Sequence, residues 1–363
     1  MRASLEDLHA NASSMHREGQ RARAAIEHAR DQVAALVGAR PDEVIFVSGG
    51  TEGDHLALVG GAWARQARGR RVAISAVEHH AVHGAAEVLA EQGFTVDHLP
   101  VDGNGMVVMS ALDGLAEDTT VVSLMLANNE TGVLQPVAEA AERAHHAGAL
   151  LHCDAVQAAG KIAIDFRALG ADYLVISGHK LGGPKGAGAL ILKHGTPLKP
   201  LFRGSAHERG RRGGTENVPG IIGLGVAAEH ARAELAEEGP RLRALRSELE
   251  QVLRAADPEL VVHGERAPRL PNTVNASFPG ARSDHLLLAL DARGVAVSAG
   301  AACASGAVEP SPVLTAMGVA PELAVCALRF SLGRTSTTDE VAALARVLPE
   351  ALRAARGVSV GTS

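Results

Sequence analysis

Residues 173–186 read Tyr-Leu-Val-Ile-Ser-Gly-His-Lys-Leu-Gly-Gly-Pro-Lys-Gly, an apolar run of strand length that breaks into a glycine-rich turn with Lys180 at the junction. A short apolar run closed by Ser-Gly reads as a buried strand, and glycines flanking Pro184 read as a turn. Six further runs have the same character: Val44 to Ser48, Arg71 to Ser75, Thr95 to Leu99, Val121 to Leu126, Ala149 to Cys153 and Gly188 to Leu192. Helical spacing lies between several of them, as in Leu56, Val59 and Trp63, and across Ala81 to Gln92. Alternation of strand and helix predicts an α/β fold, a mostly parallel seven-stranded sheet flanked by helices. In such sheets ligands bind beyond the carboxyl ends of the strands.

Polar residues follow the strands here, as that rule requires. Gly49, Gly50 and Thr51 come after the first run and open the Trp63 helix, where backbone N–H groups and the helix dipole favour phosphate. Glu78, His79 and His80 follow the second run, Asn128, Asn129 and Glu130 follow the fourth, and Asp154 and Lys180 end two more. A lysine and a carboxylate at two strand ends suit pyridoxal phosphate, whose aldehyde condenses with the amine while the acid pairs with the ring nitrogen. All five lysines fall between Lys161 and Lys199, and only Lys180 follows a Ser-Gly-His step at a strand end. His79, His80 and His83 also invite a metal reading, since i and i+4 share a helix face, but no zincin-type spacing supports it. A flat imidazole over a conjugated ring is the better role for His79.

The chain has 363 residues, long enough for one large domain and a smaller one, divided near residue 236 into 1–236 and 237–363. With 46% hydrophobic and 2% aromatic residues, the core is expected to be aliphatic. A formal charge of -6 without a basic run argues against nucleic acid as partner, and no apolar stretch reaches membrane-spanning length, so a cytoplasmic protein is expected. Three cysteines without Cys-x-x-Cys spacing favour neither a disulfide framework nor a zinc site. Cys326 and Cys153 read as small packing residues. Cys303 stands in Ser-Ala-Gly-Ala-Ala-Cys-Ala-Ser-Gly-Ala (298–307), which offers nothing bulky to bury a thiol.

From Glu237 a second unit of α+β character is expected: a charged helix over Pro240 to Ala256, a strand over Thr273 to Phe278, a helix over Asp284 to Ala292, the Cys303 loop, a strand over Ala327 to Leu332 and a closing helix from Thr338. Period-two alternation puts Leu328, Phe330 and Leu332 on one face and Arg329 with Ser331 on the other. Arg329 there reads as a solvated face residue or, by its planar fork, as a ligand for a substrate carboxylate.

Seven ordered motifs together resemble one family. They are Ser-Gly-Gly-Thr-Glu (48–52), Glu-His-His-Ala-Val (78–82), Asn-Asn-Glu-Thr-Gly (128–132), His-Cys-Asp-Ala-Val-Gln (152–157), Ser-Gly-His-Lys (177–180), His-Glu-Arg-Gly-Arg-Arg-Gly-Gly-Thr (207–215) and Arg-Phe-Ser-Leu-Gly-Arg (329–334). The chain is similar, over nearly its whole length, to cysteine desulfurases of the NifS and IscS type, class V aminotransferases of the fold-type I pyridoxal phosphate group. The resemblance implies that Lys180 holds the cofactor, Asp154 pairs with the ring nitrogen, Gln157 bonds the ring hydroxyl and His79 stacks on the ring. It implies that Asn129 and Arg329 hold the substrate carboxylate, that Thr51, Ser177 and His179 bind phosphate beside Gly50, and that Thr215 is supplied to a neighbouring subunit's phosphate in a homodimer. L-cysteine would become alanine, with its sulfur passed to Cys303 as a persulfide and then to an iron-sulfur scaffold or another sulfur-acceptor protein.

Two departures stand out. The chain starts close to the segment equivalent to Asn-Pro-Ser-Ser in the family, here Asn11 to Ser14 with Ala12, and Gly53 and His55 replace the usual Ser and Asn. The early start raises a second reading, a non-catalytic sulfur-assembly partner. A third is another class V lyase or aminotransferase, such as one preferring selenocysteine.

Overall fold

Tyr173–Ser177 is a strand buried along its whole length, as an apolar run must be when helices cover both faces of its sheet. The computed structural model describes residues 1–205, 207–299 and 309–357. They form two units. One comprises Met1–Pro100, Val107–Ala127 and Gln135–Leu235; the other comprises Val101–Met106, Asn128–Leu134 and the chain from Ala236 onward.

The first unit holds seven strands: β1 (Val44–Val47), β2 (Arg71–Ser75), β3 (Thr95–Leu99), β4 (Thr119–Ser123), β5 (Leu150–Asp154), β6 (Tyr173–Ser177) and β7 (Gly188–Leu192). Their order is β1-β7-β6-β5-β4-β2-β3. The pairings β6 to β5, β5 to β4, β4 to β2 and β2 to β3 are parallel, and β7 is antiparallel to both its neighbours. The helices α1 (Arg17–Val37), α2 (Gly50–Arg65), α3 (His80–Glu91) and α4 (Val137–His146) belong to this unit. A longer helix, α5 (Val218–Ala256), begins in it and contains the division between units.

Two elements start away from the sequence expectation, and one helix was not expected. β4 is Thr119–Ser123 rather than Val121 to Leu126, because Thr119 and Thr120 pack as buried β-branched residues and Thr120 Oγ1 donates to Arg71 O at 2.8 Å. Leu124 and Leu126 still donate backbone bonds to His152 O and Asp154 O, although they lie past the end of the strand. The helix expected from Pro240 starts at Val218, since Pro240 is exposed and the carbonyl it leaves unbonded can be met by water. The 21-residue α1 escaped sequence reading because its buried stripe mixes Ala22, Ala29 and Ala34 with Ile26, Val33, Leu36 and Val37 and also takes in Gly19 and the charged Arg30, which blurs the helical period.

Glycines set how closely α2 and β7 approach the rest of the sheet. A Cβ on Gly53 would lie 2.7 Å from Val175 Cγ1, so this departure from the family pattern lets α2 pack directly on β6. A Cβ on Gly188 would stand 2.8 Å from Gly49 Cα and from Ile176 O, so β7 needs glycine where the β1 to α2 turn crosses it.

The exposed edge of β1 is closed by a buried ion pair. Arg30 donates to Glu208 through both terminal nitrogens at 2.9 Å, and its Nη1 also reaches Val44 O at 2.7 Å. Glu208 in turn accepts the edge N–H of Phe46 at 3.0 Å, over whose ring the guanidinium lies 4.7 Å from the centroid. Glu208 and Arg209 have φ of 45° and 58°, and the three bonds that Glu208 accepts from Arg30 and Phe46 hold that left-handed turn in place.

The second unit contains a four-stranded antiparallel sheet, β8 (Val261–Val262), β9 (Thr273–Ser277), β10 (Ser298–Ala299) and β11 (Ala327–Ser331), in the order β10-β11-β9-β8. The helices α6 (Ser283–Asp291), α7 (Pro312–Ala316) and α8 (Thr338–Gly357) accompany it. Leu328 and Phe330 join Val274, Phe278, Leu286, Leu348 and Leu352 in one core, while Ser331 is exposed, as the alternation predicts. Among the described residues no helix is long and apolar enough to cross a membrane.

Breaking the buried pair leaves a charge without its partner, so Arg30→Met or Glu208→Gln is expected to cost about 3 kcal/mol in chemical denaturation. The double replacement Arg30→Met with Glu208→Leu should recover part of that loss. Equal additive losses from the two changes would contradict this role for the pair.

Candidate active site

Helix geometry leaves the first N–H groups of α2 without intrahelical acceptors, and they open at Gly50, Thr51 and Glu52. A Cβ on Gly50 would stand 3.0 Å from Val156 Cγ2 and 4.0 Å from Ser177 Cβ, which places this turn against the chain leaving β5 and the end of β6. Ser177 is buried, and its hydroxyl pairs with His179 Nδ1 at 2.9 Å. Gly50, Ser177 and His179 therefore make one cradle of backbone N–H, hydroxyl and imidazole, with Thr51 exposed at its rim.

β5 and β6 are neighbouring parallel strands, so Asp154 and Lys180 leave the sheet at the same edge. Asp154 is 5% exposed, and its Oδ1 accepts the Val156 N–H at 2.8 Å. Burial, then the Asp54 carboxyl, push its pKa up to about 8, against the smaller opposing pull of the Val156 N–H, His152 and Lys180. A carboxylate held this far from its ordinary range is stabilised by a cationic N–H in its vicinity. Lys180 is exposed and its charge is also felt at His79. His79 caps α3, Nδ1 accepting the Ala81 N–H at 3.2 Å. Partial desolvation, followed by the charges of His80 and Lys180, lowers its pKa, so a neutral imidazole is presented. Gln157 lies three residues beyond Asp154 in the same exit turn, its carbonyl accepting from Lys161 Nζ at 2.7 Å.

These residues fit pyridoxal phosphate: an anion cradle at a helix start, a buried acid for the ring nitrogen, a neutral flat ring and an accessible amine. Thr215 lines a separate cavity of about 190 Å3 with Phe46, Ser48 and Arg212, whose lining does not include Gly50, Thr51 or Ser177. In the second unit Asn129 and Arg329 meet, Arg329 Nη1 donating to Asn129 O at 2.8 Å. Cys303 lies outside the described residues. Cys153 is buried with its thiol pKa pushed well up by burial, and Cys326 is buried with Sγ against Glu322 O at 3.4 Å. Both environments suppress the thiolate. Among the described residues no group of three or more His, Cys, Asp or Glu side chains is arranged to hold a metal ion.

Behind Asp154 lies a buried set that sequence reading missed. Ser123 Oγ pairs with His152 Nδ1 at 2.9 Å, and His152 Nε2 is 3.3 Å from Asp54 Oδ1. All three are 1% exposed or less. The order hydroxyl, imidazole, carboxyl imitates a nucleophilic triad, but no substrate reaches it, and burial brings the His152 pKa down to about 4. Asp54 is raised well above its ordinary range by burial. Glu78 is raised by burial and then by Asp154, and its Oε1 accepts the Met125 N–H at 2.7 Å. A signal was present, since His152 and Asp154 at i and i+2 share one face of β5 and Asp54 falls one helical turn after Thr51.

The family described as aminotransferase class-V matches residues 1–344. The chain is similar to a cysteine desulfurase IscS of Methanosarcina thermophila, 43% identical over 96% of this chain and 86% of that protein. It superposes on a solved NifS-like protein with a TM-score of 0.89 at 36% identity, covering 97% of this chain and 93% of that one. A solved structure of SspA in complex with cysteine gives a TM-score of 0.80 at 31% identity, covering 91% and 92%.

Since Asp154 binds its proton more tightly folded than unfolded, the cofactor-free protein should lose stability as pH rises from about 4 towards about 8. Asp154→Asn should make that slope shallower by up to one proton. Thermal unfolding between pH 5 and 8 measures it, and parallel slopes for the two proteins would rule out this account of Asp154.

Proposed function

Because the chain belongs to the aminotransferase class V family, we propose that it works as a cysteine desulfurase, converting L-cysteine to L-alanine and passing the sulfur on to an acceptor protein. The observation that carries the reading is the placement of Lys180 and the buried Asp154 at one edge, on neighbouring strands. When bound, pyridoxal phosphate supplies an aldehyde for amines and a protonated ring that takes up the electrons left by a departing α-proton. The names of the relatives favour neither of the alternative readings.

Lys180 would hold the cofactor through its amine and would serve as the base for the substrate α-proton. Asp154 keeps a proton on the ring nitrogen, and its elevated affinity for protons suits a group that shares one. His79 would offer a neutral imidazole to stack on the ring, and Gln157 would bond the ring hydroxyl. Gly50, Thr51, Ser177 and His179 bind the phosphate, with Thr215 contributed to the phosphate of a second copy in a homodimer. Arg329 and Asn129 hold the α-carboxylate.

Cys303 is the sulfur acceptor. Its thiolate attacks the substrate sulfur, an S–S bond forms as the Cβ–S bond breaks, and the electron pair left on Cβ takes a proton to become the alanine methyl. One cysteine and one enzyme thiol give one alanine and one persulfide, so no outside oxidant is needed. The buried thiols of Cys153 and Cys326 cannot take this part. A cytoplasmic homodimer delivering sulfur to an iron-sulfur scaffold or a thiolation partner accords with the reading.

Lys180→Ala should leave the purified protein colourless and unable to retain cofactor after borohydride treatment. Cys303→Ala should stay yellow but lose alanine release from L-cysteine by at least about a hundredfold, whereas Cys153→Ala keeps it. Alkylation after adding cysteine, followed by peptide mass analysis, should place the extra sulfur on Cys303. Sulfur found on Cys153 would overturn the assignment.

A further inference from the structure

Arg329 is the middle of a row that crosses three strands. In the register of the second sheet it lies opposite Ser298 of β10 on one side and Asn275 of β9 on the other. Directly opposed residues project from the same face, so the three side chains are neighbours. Arg329 Nη2 donates to Ser298 Oγ at 3.1 Å while Nη1 donates to Asn129 O at 2.8 Å. The next carbonyl of the same turn, Glu130 O, accepts from Asn275 Nδ2 at 3.4 Å. Asn128 Oδ1 closes the turn from inside, accepting the N–H groups of Glu130 and Thr131 at 2.9 Å each. Three buried atoms of this group make no hydrogen bond: Arg329 Nε, Asn129 Oδ1 and Asn275 Oδ1.

We propose that Ser298 and Asn275 are positioning residues for recognition of the substrate α-carboxylate, an inference that rests on Arg329 and Asn129 being its ligands. Ser298 fixes the plane of the guanidinium through Nη2. Asn275 docks the turn that carries Asn129. Two of the guanidinium nitrogens are thereby spent on protein partners, while Nε and the Asn129 Oδ1 make no hydrogen bond. A planar fork whose orientation is already set loses little freedom when a carboxylate arrives, which is where its affinity comes from. Arginine alone would supply charge; the row supplies direction.

The holoenzyme tests this with two probes that differ only by the carboxylate, L-alanine and ethylamine, each titrated against the visible absorbance of the bound cofactor. Removing a hydrogen bond to a charged group is expected to weaken L-alanine about tenfold in Ser298→Ala, with ethylamine unchanged. In turnover the same variant should raise KM for L-cysteine about tenfold with kcat within about twofold, and Ser298→Thr, which keeps the hydroxyl, should restore it. Asn275→Ala should shift L-alanine in the same direction. If L-alanine and ethylamine weaken together, or if neither changes, the positioning role is wrong. Arg329→Met separates the two levels: unchanged L-alanine affinity there would remove the carboxylate clamp itself, whatever Ser298 does.

Discussion

A carboxyl group at the end of a central, buried strand is the constraint on which the site depends. β5 is the fourth of seven strands, so Asp154 leaves the sheet where protein surrounds it on every side. Such a group resists ionisation unless a cation or a proton donor is close. Its neighbours express this directly: Asp54 and Glu78 are also pushed toward their protonated forms, and His152 toward neutrality. A charge is affordable at this edge only as one member of a pair, and the protonated ring of pyridoxal phosphate is a fitting partner.

The scaffold serves that edge by close approach. Gly53 lets α2 rest on Val175, and Gly188 lets the β1 to α2 turn cross β7, so the start of α2 is carried to the end of β6. Ser177 then meets the same turn, and His179 pairs with its hydroxyl. In the second unit the same economy appears in another form, as cross-strand register brings Ser298, Arg329 and Asn275 into one row without any loop having to reach across.

Much of this was legible in the chain itself. Seven strand runs, their polar followers and the alternation around Arg329 follow from periods of two and 3.6 residues, and six of the seven strands begin or end within one residue of the reading. What escaped had a physical cause in each case. Helix α1 buries Gly19, three alanines and the charged Arg30 among its larger aliphatics, so its apolar stripe is faint. The two-residue strands β8 and β10 are too short to show a period. Arg30 and Glu208 are 178 residues apart, and nothing in either neighbourhood announces that they pair.

The sequence by itself determined the chemistry on offer: which strands end in an amine, an acid, an amide or a glycine, and that Cys303 is surrounded by small residues. Local rules suffice for that, because propensity, period and turn formation are set by neighbours a few positions away. Only the tertiary structure decided how those groups perturb one another. Whether Asp154 is an ordinary carboxylate or one poised near pH 8, and whether Arg329 is a solvated charge or a fork fixed by Ser298 and the Asn129 turn, depends on burial and on contacts between residues dozens or hundreds of positions apart. Electrostatic interactions strengthen as water is excluded, and exclusion of water is a property of the packed fold.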